Sequence, residues 1–267
     1  MKYFISDLIV GMAKISEFGG WLNGLHRPDV GVEFSAFTHN DLYWDALNAM
    51  ARKVTCPMTF HGPYVQIEAT SAIGSKEHRW LMESYARVLQ LAKAVHAGHV
   101  VFHYSQRQFK PEEIPQKQHN AKAVMKQLTE EAEVMGVPLV IENLCRQPKG
   151  VHLFTNEEYF ALFQEMPHAK ALIDIGHANV NGLDIEKFLA TYTDRVKGFH
   201  VHNNDGKTDQ HLDYRHGTAD VRQIMRWAGK YTPGANIVIE YEPHETLSHQ
   251  ELLEEIDELK GWAEEKQ

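Results

Sequence analysis

Short apolar runs alternate with longer amphipathic segments along most of this chain. The runs are apolar at nearly every position, which is typical of strands buried on both faces of a parallel sheet. We predict eight such strands, at residues 3–10, 30–34, 58–61, 99–103, 138–143, 171–175, 198–202 and 237–241.

Between the strands, apolar residues recur at the i, i+3 and i+4 spacing of a helix that buries one face. The pattern predicts helices at 79–96, 120–135, 157–164, 185–192, 221–230 and 249–265. A helix at about 14–25 is expected to be irregular, because Gly19, Gly20 and Gly24 are poor helix formers. Two helix starts, at Thr155 and Ser248, have a glutamate three residues later, which is the spacing of a capping box.

Eight strands alternating with about eight helices is the count of a (β/α)8 barrel, and 267 residues suit one domain of that size. The chain has no low-complexity linker or short repeat. The predicted fold is therefore an α/β protein, a single-domain TIM barrel that spans residues 1–267.

Six of the predicted strands end in, or next to, a residue that can bind a metal ion. The carboxyl ends of the strands in a closed barrel open onto one rim, so we expect these side chains to converge. Imidazole nitrogens and carboxylate oxygens together suit Zn, Mn, Co or Fe(II). The six residues are His61, His103, Glu142, Asp174, His200 and Glu240.

Further candidates lie close to these strand ends. His177 follows Asp174 by three residues, and Asp209 and His211 form a D-x-H pair in the loop after the seventh strand. His200 and His202 share strand parity, so both can face the barrel interior, one as a ligand and the other in packing or substrate contact. Two readings of Glu33, in the second strand, stay open: contact with the substrate, or an ion pair within the barrel wall.

Charge and cysteine content narrow the functional class. A formal net charge of −9 argues against broad nucleic-acid binding. Cys56 and Cys145 are the only cysteines, so no disulfide framework is implied. No apolar stretch reaches the length of a membrane span, and the first residues do not resemble a signal peptide. We expect a soluble, cytoplasmic protein.

Taken together, these motifs resemble the xylose-isomerase-like TIM barrels, a superfamily of sugar isomerases and epimerases, inositol-catabolism enzymes and endonuclease IV. The resemblance covers most of the chain. The segments that carry it are His61-Gly62-Pro63-Tyr64, the strand end at His103, Glu142-Asn143, Asp174-x-x-His177, His200-x-His202-Asn203-Asn204-Asp205-Gly206, Asp209-x-His211 and Glu240.

The resemblance implies a divalent metal cofactor: Mn, Zn, Co or Mg, in one to three ions. The epimerase branch implies one ion, held by Glu142, Asp174, His200 and Glu240, with His202 as the alternative to His200. The endonuclease IV branch implies three zinc ions and five further ligands. These five are His61, His103, His177, Asp209 and His211.

The activity that the resemblance implies first is a sugar or sugar-phosphate isomerase or epimerase. Glu142 and Glu240 would transfer protons through a metal-stabilised enediolate. His177, Glu33 and His202 would contact a small polyhydroxylated substrate. A homo-oligomer is compatible with the resemblance, because dimers and tetramers are frequent in the family.

Two other activities stay open, an endonuclease IV-like zinc phosphodiesterase and a metal-dependent dehydratase. After Asp209-x-His211 this chain continues Leu212-Asp213-Tyr214, where endonuclease IV has Ile-Gly-Glu-Gly. This departure disfavours DNA cleavage.

Overall fold

Eight parallel strands form a closed barrel in which each strand pairs with the next and β8 pairs with β1. The computed structural model describes residues 1–11, 14–105, 107–146, 151–243 and 247–265. The predicted (β/α)8 barrel is confirmed. Its strands are β1 (Lys2–Ser6), β2 (Val30–Ser35), β3 (Met58–His61), β4 (Val100–Phe102), β5 (Leu139–Glu142), β6 (Lys170–Asp174), β7 (Val196–Val201) and β8 (Asn236–Ile239).

Helices cover the outside of the barrel, and every helix predicted from the periodicity is present with ends displaced by a few residues. The glycine-containing segment forms a regular first helix despite its composition. Within the described ranges the helices are α1 (Ile15–Gly24), α2 (Asp41–Ala51), α3 (Lys76–Ala94), α4 (Ile114–Met135), α5 (Asn156–Glu165), α6 (Ile175–Asn181), α7 (Ile185–Thr191), α8 (Val221–Tyr231) and α9 (His249–Glu264).

The first strand is shorter than the predicted 3–10 segment, which is wrong beyond Ser6. A 3-10 turn at Asp7–Ile9 ends the strand, and the Ser6 hydroxyl accepts a hydrogen bond from the backbone N–H of Leu8. The buried Asp7 carboxylate accepts bonds from the backbone N–H and the hydroxyl of Ser35, at 3.0 and 2.6 Å. These polar bonds hold the turn against the end of β2, so apolar character alone misjudged where the strand ends.

Two short helices, α2 and α6, were not predicted. Asn40 caps the start of α2 by accepting from the N–H of Tyr43, and Asp174 caps α6 by accepting from the N–H of His177. α6 starts at the residue after β6 ends, with no connecting segment between them, so its first residue was assigned to the strand. Both predicted capping boxes are present, at Thr155 and Ser248.

The interior of the barrel is divided into an apolar part and a polar part. Val101, Val140 and Leu172 pack on one another without exposure to solvent. Glu33 and His200 are equally buried but hydrogen-bond to each other at 2.8 Å. A buried ionisable pair in a barrel core costs stability unless it is fully hydrogen-bonded, so the polar part indicates a functional requirement.

No helix within the described ranges is both long enough and apolar enough to cross a lipid bilayer.

Close packing of α8 on α9 depends on Gly229, and this predicts a contrast between two glycine substitutions. A Cβ added to Gly229 would lie 1.8 Å from the backbone oxygen of Ala263, whereas Gly20, in α1, has no atom within 4 Å of that position. We expect Gly229→Ala to lower the free energy of unfolding by about 1–3 kcal/mol, because the two helices must separate. Gly20→Ala, the matched control, should raise it by up to about 1 kcal/mol. Urea denaturation measures both, and equal midpoints would contradict this packing.

Candidate metal centre at the barrel rim

The strand ends bring the predicted ligands to one side of the barrel, where they face a cavity of about 440 Å³. His61, His103, Glu142 and Glu240 line this cavity, as do His177, Asp209 and His211. Asp174 and His200 lie just beneath it, fully buried. Groups far apart in the chain therefore converge at the mouth of the barrel, and they form three neighbouring clusters.

The first cluster consists of His61, His103 and Glu142. The Nε2 atoms of the two histidines are 3.2 Å apart, and His103 Nε2 lies 2.6 Å from Glu142 Oε2. His61 Nε2 is 3.9 Å from the same carboxylate oxygen. Two imidazole nitrogens and a carboxylate oxygen therefore face one point, and their ligand atoms all lie within 4.8 Å of one another.

The central cluster consists of Glu142, Asp174, His200 and Glu240. His200 Nδ1 lies 3.2 Å from Glu240 Oε2, 3.6 Å from Glu142 Oε1 and 3.7 Å from Asp174 Oδ2. Ligands around one tetrahedral zinc ion are about 3.4 Å apart when the bonds are about 2.1 Å. These separations therefore match the edges of a metal coordination shell. Glu142 belongs to the first and central clusters and could bridge two ions.

The third cluster consists of His177, His202, Asp209 and His211. Asp209 Oδ2 lies 3.1 Å from His177 Nε2 and 3.4 Å from His211 Nε2. His202 Nε2 is 3.9 Å from Asp209 Oδ1 and 3.0 Å from Asp174 Oδ2, so it adjoins the central cluster as well.

Backbone carbonyls select the nitrogen that three of the histidines present to the clusters. A carbonyl oxygen only accepts, so the Nδ1 atom that bonds to it must carry the hydrogen. Nε2 of each ring is then the atom that faces the clusters, and it can bind a metal once it has lost any proton it carries. The donations run from His61 to the oxygen of Gly62, from His177 to that of Asn143, and from His211 to that of Glu240, at 2.9–3.0 Å.

The local sequence explains why Asp174 and His177 hold this geometry. The side-chain amide of Asn143 bonds to both the N–H and the carbonyl of Asp174, at 2.8 and 3.0 Å, and so braces the end of β6. Asp174 Oδ1 caps α6 through the N–H of His177 at 2.6 Å. The other oxygen, Oδ2, remains directed at the histidines. The Asp-x-x-His spacing is thus the spacing of a helix cap.

The pKa values of several rim residues are shifted because carboxylates and imidazoles lie close together there. Burial raises the pKa of Glu142, but His103 and His200 outweigh it and hold that pKa well below its usual value. Burial lowers the pKa of His200, but Glu240, Glu33 and Glu142 raise it well above its usual value. For His211, burial is outweighed by Asp209 and Glu240, and the pKa rises to about 9. Positive charge is therefore strongly stabilised here.

Several buried polar atoms in the rim have no hydrogen-bond partner among the described residues. Glu142 Oε1 and His200 Nδ1 are two of them. His177 Nδ1 lies 3.1 Å from the first and Glu240 Oε2 lies 3.2 Å from the second, but neither contact has the alignment of a hydrogen bond. An unpaired buried polar atom is costly, and a bound cation would satisfy both. The mixed nitrogen and oxygen donors also suit a divalent metal. The residues present therefore fit such an ion.

His200 and His202, between which the sequence left the choice of ligand open, lie at different depths. His200 presents Nδ1 to the central cluster from below. His202 sits one layer higher, and its ring stacks on that of His211 at 3.9 Å between centroids. Both belong to groups whose geometry could hold an ion.

Glu33 lies below the cavity and does not line it. Its carboxylate bonds to Thr59, His99 and His200, and the side chain is fully buried. This geometry favours the barrel-wall ion pair over the expected substrate contact.

The outer wall of the cavity contains residues that sequence reasoning did not single out. Leu8, Ser105, Arg107 and His152 line it, and Arg107 lies 3.4 Å from the carboxylate of Glu68. Ser105 and Arg107 follow the strand end at His103 by only a few residues. Their position in the loop after a predicted strand end could have identified them as residues near the cavity. Leu8 was missed because the first strand was extended too far.

Comparisons with known proteins agree with this architecture. Among solved structures, a D-tagatose 3-epimerase-like protein superposes with a TM-score of 0.75 at 19% identity, covering 99% of this chain and 97% of that chain. A Thermus thermophilus protein soaked with ZnCl2 gives 0.70 at 17% identity, with 100% of both chains covered. The 3-keto-D-glucoside 4-epimerase of E. coli gives 0.71 at 15% identity, with 98% of both covered. Identities this low show the fold alone.

One curated relative, an uncharacterised protein of Methanocaldococcus jannaschii, is 32% identical over 80 residues, and the match spans 30% of each protein. The model of the xylose isomerase-like TIM barrel family matches residues 26–265, nearly the whole barrel described above. This chain belongs to the xylose isomerase-like TIM barrel family.

Proposed function

We propose that this protein is a divalent-metal-dependent isomerase or epimerase of a small polyhydroxylated carbonyl compound such as a sugar. The observation that carries the proposal is the placement of two carboxylates, Glu142 and Glu240. Both line the same cavity and approach His200 Nδ1, at 3.6 and 3.2 Å. The sugar epimerases among the structural neighbours support the same class of reaction.

Glu142, Asp174, His200 and Glu240 would hold the principal ion in this reaction. The ion would supply Lewis-acid stabilisation of the negative charge that develops on substrate oxygens when a proton leaves carbon. Glu142 would remove that proton, because its carboxylate is ionised and lines the cavity. Glu240 belongs to a different strand end and, after taking a proton from solvent in the cavity, would return it to carbon, while Glu142 passes the abstracted proton back to solvent.

Other cavity residues would orient the substrate. His177 lines the cavity and would hold a hydroxyl group, with the Ser105 hydroxyl further out. Arg107 is the only arginine or lysine among the described lining residues, while Asp209 and Glu242 add acidic groups. This wall favours a neutral, hydroxyl-rich substrate, and the cavity volume of about 440 Å³ suits a small one.

Exchange of carbon-bound hydrogen tests the two carboxylate roles. With Mn²⁺ and a panel of ketoses and aldoses in deuterated water, the wild type should incorporate deuterium beside the carbonyl of at least one sugar. Glu142→Gln and Glu240→Gln should each lower turnover by at least about 100-fold, since each removes a general acid or base. Glu242→Gln, also on the cavity wall but outside the clusters, is the matched control and should keep turnover within about threefold of wild type.

Mass spectrometry of the recovered sugar measures the exchange. An enzyme that exchanges no hydrogen in any ketose or aldose of the panel would contradict the proposal. Full turnover by Glu142→Gln would contradict the role given to that residue.

A second candidate, hydrolysis of a phosphoester, is favoured by one specific observation. Each of the three clusters contains at least three ligand atoms within 4.8 Å of one another, as a site for several ions requires. Elemental analysis of protein purified without chelator discriminates the two candidates. About one ion per chain favours the isomerase, and three zinc ions together with cleavage of a model diester into its monoester and alcohol favour the hydrolase.

The affinity for metal should rise with pH, because histidines in the rim must lose protons before they can bind an ion. His211 has its pKa raised to about 9, so it is protonated at neutral pH in the metal-free protein, and its positive charge 3.7 Å from the Glu240 carboxylate opposes binding of the principal ion. We expect the affinity for Mn²⁺ to increase between pH 6 and 9 by about tenfold per pH unit for each proton displaced. His211→Asn should flatten this slope.

The metal-free protein should show the opposite trend in stability. A histidine whose pKa is raised on folding stabilises the fold fully below its unfolded pKa of about 6.5, and this contribution is lost as the pH rises through about 9. Calorimetric titration with Mn²⁺ and thermal unfolding measure the two trends. A metal affinity independent of pH would contradict displacement of protons from these histidines.

A further inference from the structure

A chain of buried hydrogen bonds runs beneath the central cluster and has no part in the chemistry proposed above. Glu33 is its centre, fully buried between β3 and β7. Its Oε1 atom lies 2.8 Å from His200 Nε2. Its Oε2 atom lies 2.8 Å from the Thr59 hydroxyl and 3.1 Å from His99 Nε2.

The direction of these bonds can be assigned from their partners. The side-chain amide of Asn236 donates to His99 Nδ1 at 3.2 Å, so His99 carries its hydrogen on Nε2 and donates it to Glu33. The Thr59 hydroxyl donates to the same oxygen. An ionised carboxylate can only accept, so the remaining oxygen receives the hydrogen of His200 Nε2.

We propose that Glu33 is a positioning residue of the metal centre, which holds His200 with its hydrogen on Nε2 and its Nδ1 lone pair directed at the central cluster. His61, His177 and His211 donate from Nδ1 to a backbone carbonyl and present Nε2 to the clusters. His200 presents Nδ1 instead, so the group that fixes its ring must bond to Nε2. A carboxylate bonded to the far nitrogen of a metal-binding histidine fixes the orientation of the ring and raises its basicity. The inference rests on the metal site of the proposed function and is independent of the substrate.

The surroundings of Glu33 make this role specific. Glu33 and its three partners come from four different strands or strand ends, so the ring of His200 is tied to the barrel wall and not to a loop. Each of the three donors has Glu33 as its acceptor, which leaves that carboxylate no freedom to turn away. A carboxylate placed here only to fill space would leave this core less stable than an apolar side chain of similar volume.

Replacement of the carboxylate by an amide tests the proposal. Glu33→Gln keeps the volume but exchanges one acceptor oxygen for an NH2 group, which would meet a donor or drive the His200 hydrogen to Nδ1. Either outcome weakens the ligand, and we expect the affinity for Zn²⁺ to fall by about 10- to 100-fold in chelator competition. Thr59→Val is the matched control: it removes a donor to Glu33 but leaves the bond to His200, and should change the affinity by less than about threefold.

A spectroscopic readout separates positioning from a general loss of structure. Nitrogen-15 NMR of the zinc-loaded wild type should show His200 with zinc on Nδ1 and hydrogen on Nε2, with its resonances identified by comparison with His200→Gln. Zinc on Nε2 of His200, or unchanged affinity in a folded Glu33→Gln protein, would overturn the proposal. If Glu33→Gln does not fold, the wild-type spectrum alone decides. A wild-type protein that binds zinc through His200 Nδ1 but turns over no sugar would count against the proposed function and not against this role.

Discussion

The rim of this barrel is organised by the need to neutralise carboxylates that are buried together. Glu142, Asp174 and Glu240 are almost without solvent exposure, and Glu33 lies directly below them. Desolvation of one carboxylate costs several kcal/mol, and like charges at this distance add to that cost. A compact source of positive charge must therefore lie among them, either as protons on the histidines or as a divalent cation.

This constraint explains features that would otherwise be separate. The raised pKa of His200 and the lowered pKa of Glu142 have the same cause, which is the attraction between the buried carboxylates and the imidazoles. His200 Nδ1 and Glu142 Oε1, neither of which makes a well-aligned hydrogen bond, lie 3.6 Å apart, and a cation held by both would satisfy them. With a cation bound, the polar half of the barrel interior would support His200 from the side away from the cavity.

Strand ends were predictable because two simple rules combine. Buried parallel strands are recognised by their apolar runs, and barrel closure brings their ends together, so His61, Glu142 and Asp174 could be placed on one rim without coordinates. The same rules failed where polar bonds end an element. Hydrogen bonds from Ser35 to Asp7 hold the turn that ends the first strand early, and the cap at Asp174 begins a helix directly at the end of β6, with no connecting segment to mark the change.

Depth within the barrel could not be predicted from strand parity. His200 and His202 both point inward, but the register of β7 against its neighbours decides which one reaches Glu33 and Glu142 and which stacks on His211. The environment of Glu33 depends in the same way on Thr59 and His99, which come from other strands. Such contacts join residues distant in sequence, and the pattern along one strand has no information about them.

The central claim is that Glu142, Asp174, His200 and Glu240 share one divalent cation. Anomalous diffraction from crystals grown with Mn²⁺ or Zn²⁺ tests it most directly. We expect an anomalous peak about 2.0–2.2 Å from His200 Nδ1 and within bonding distance of the three carboxylates. A well-ordered rim with no anomalous peak among these four side chains, at saturating metal, would contradict it.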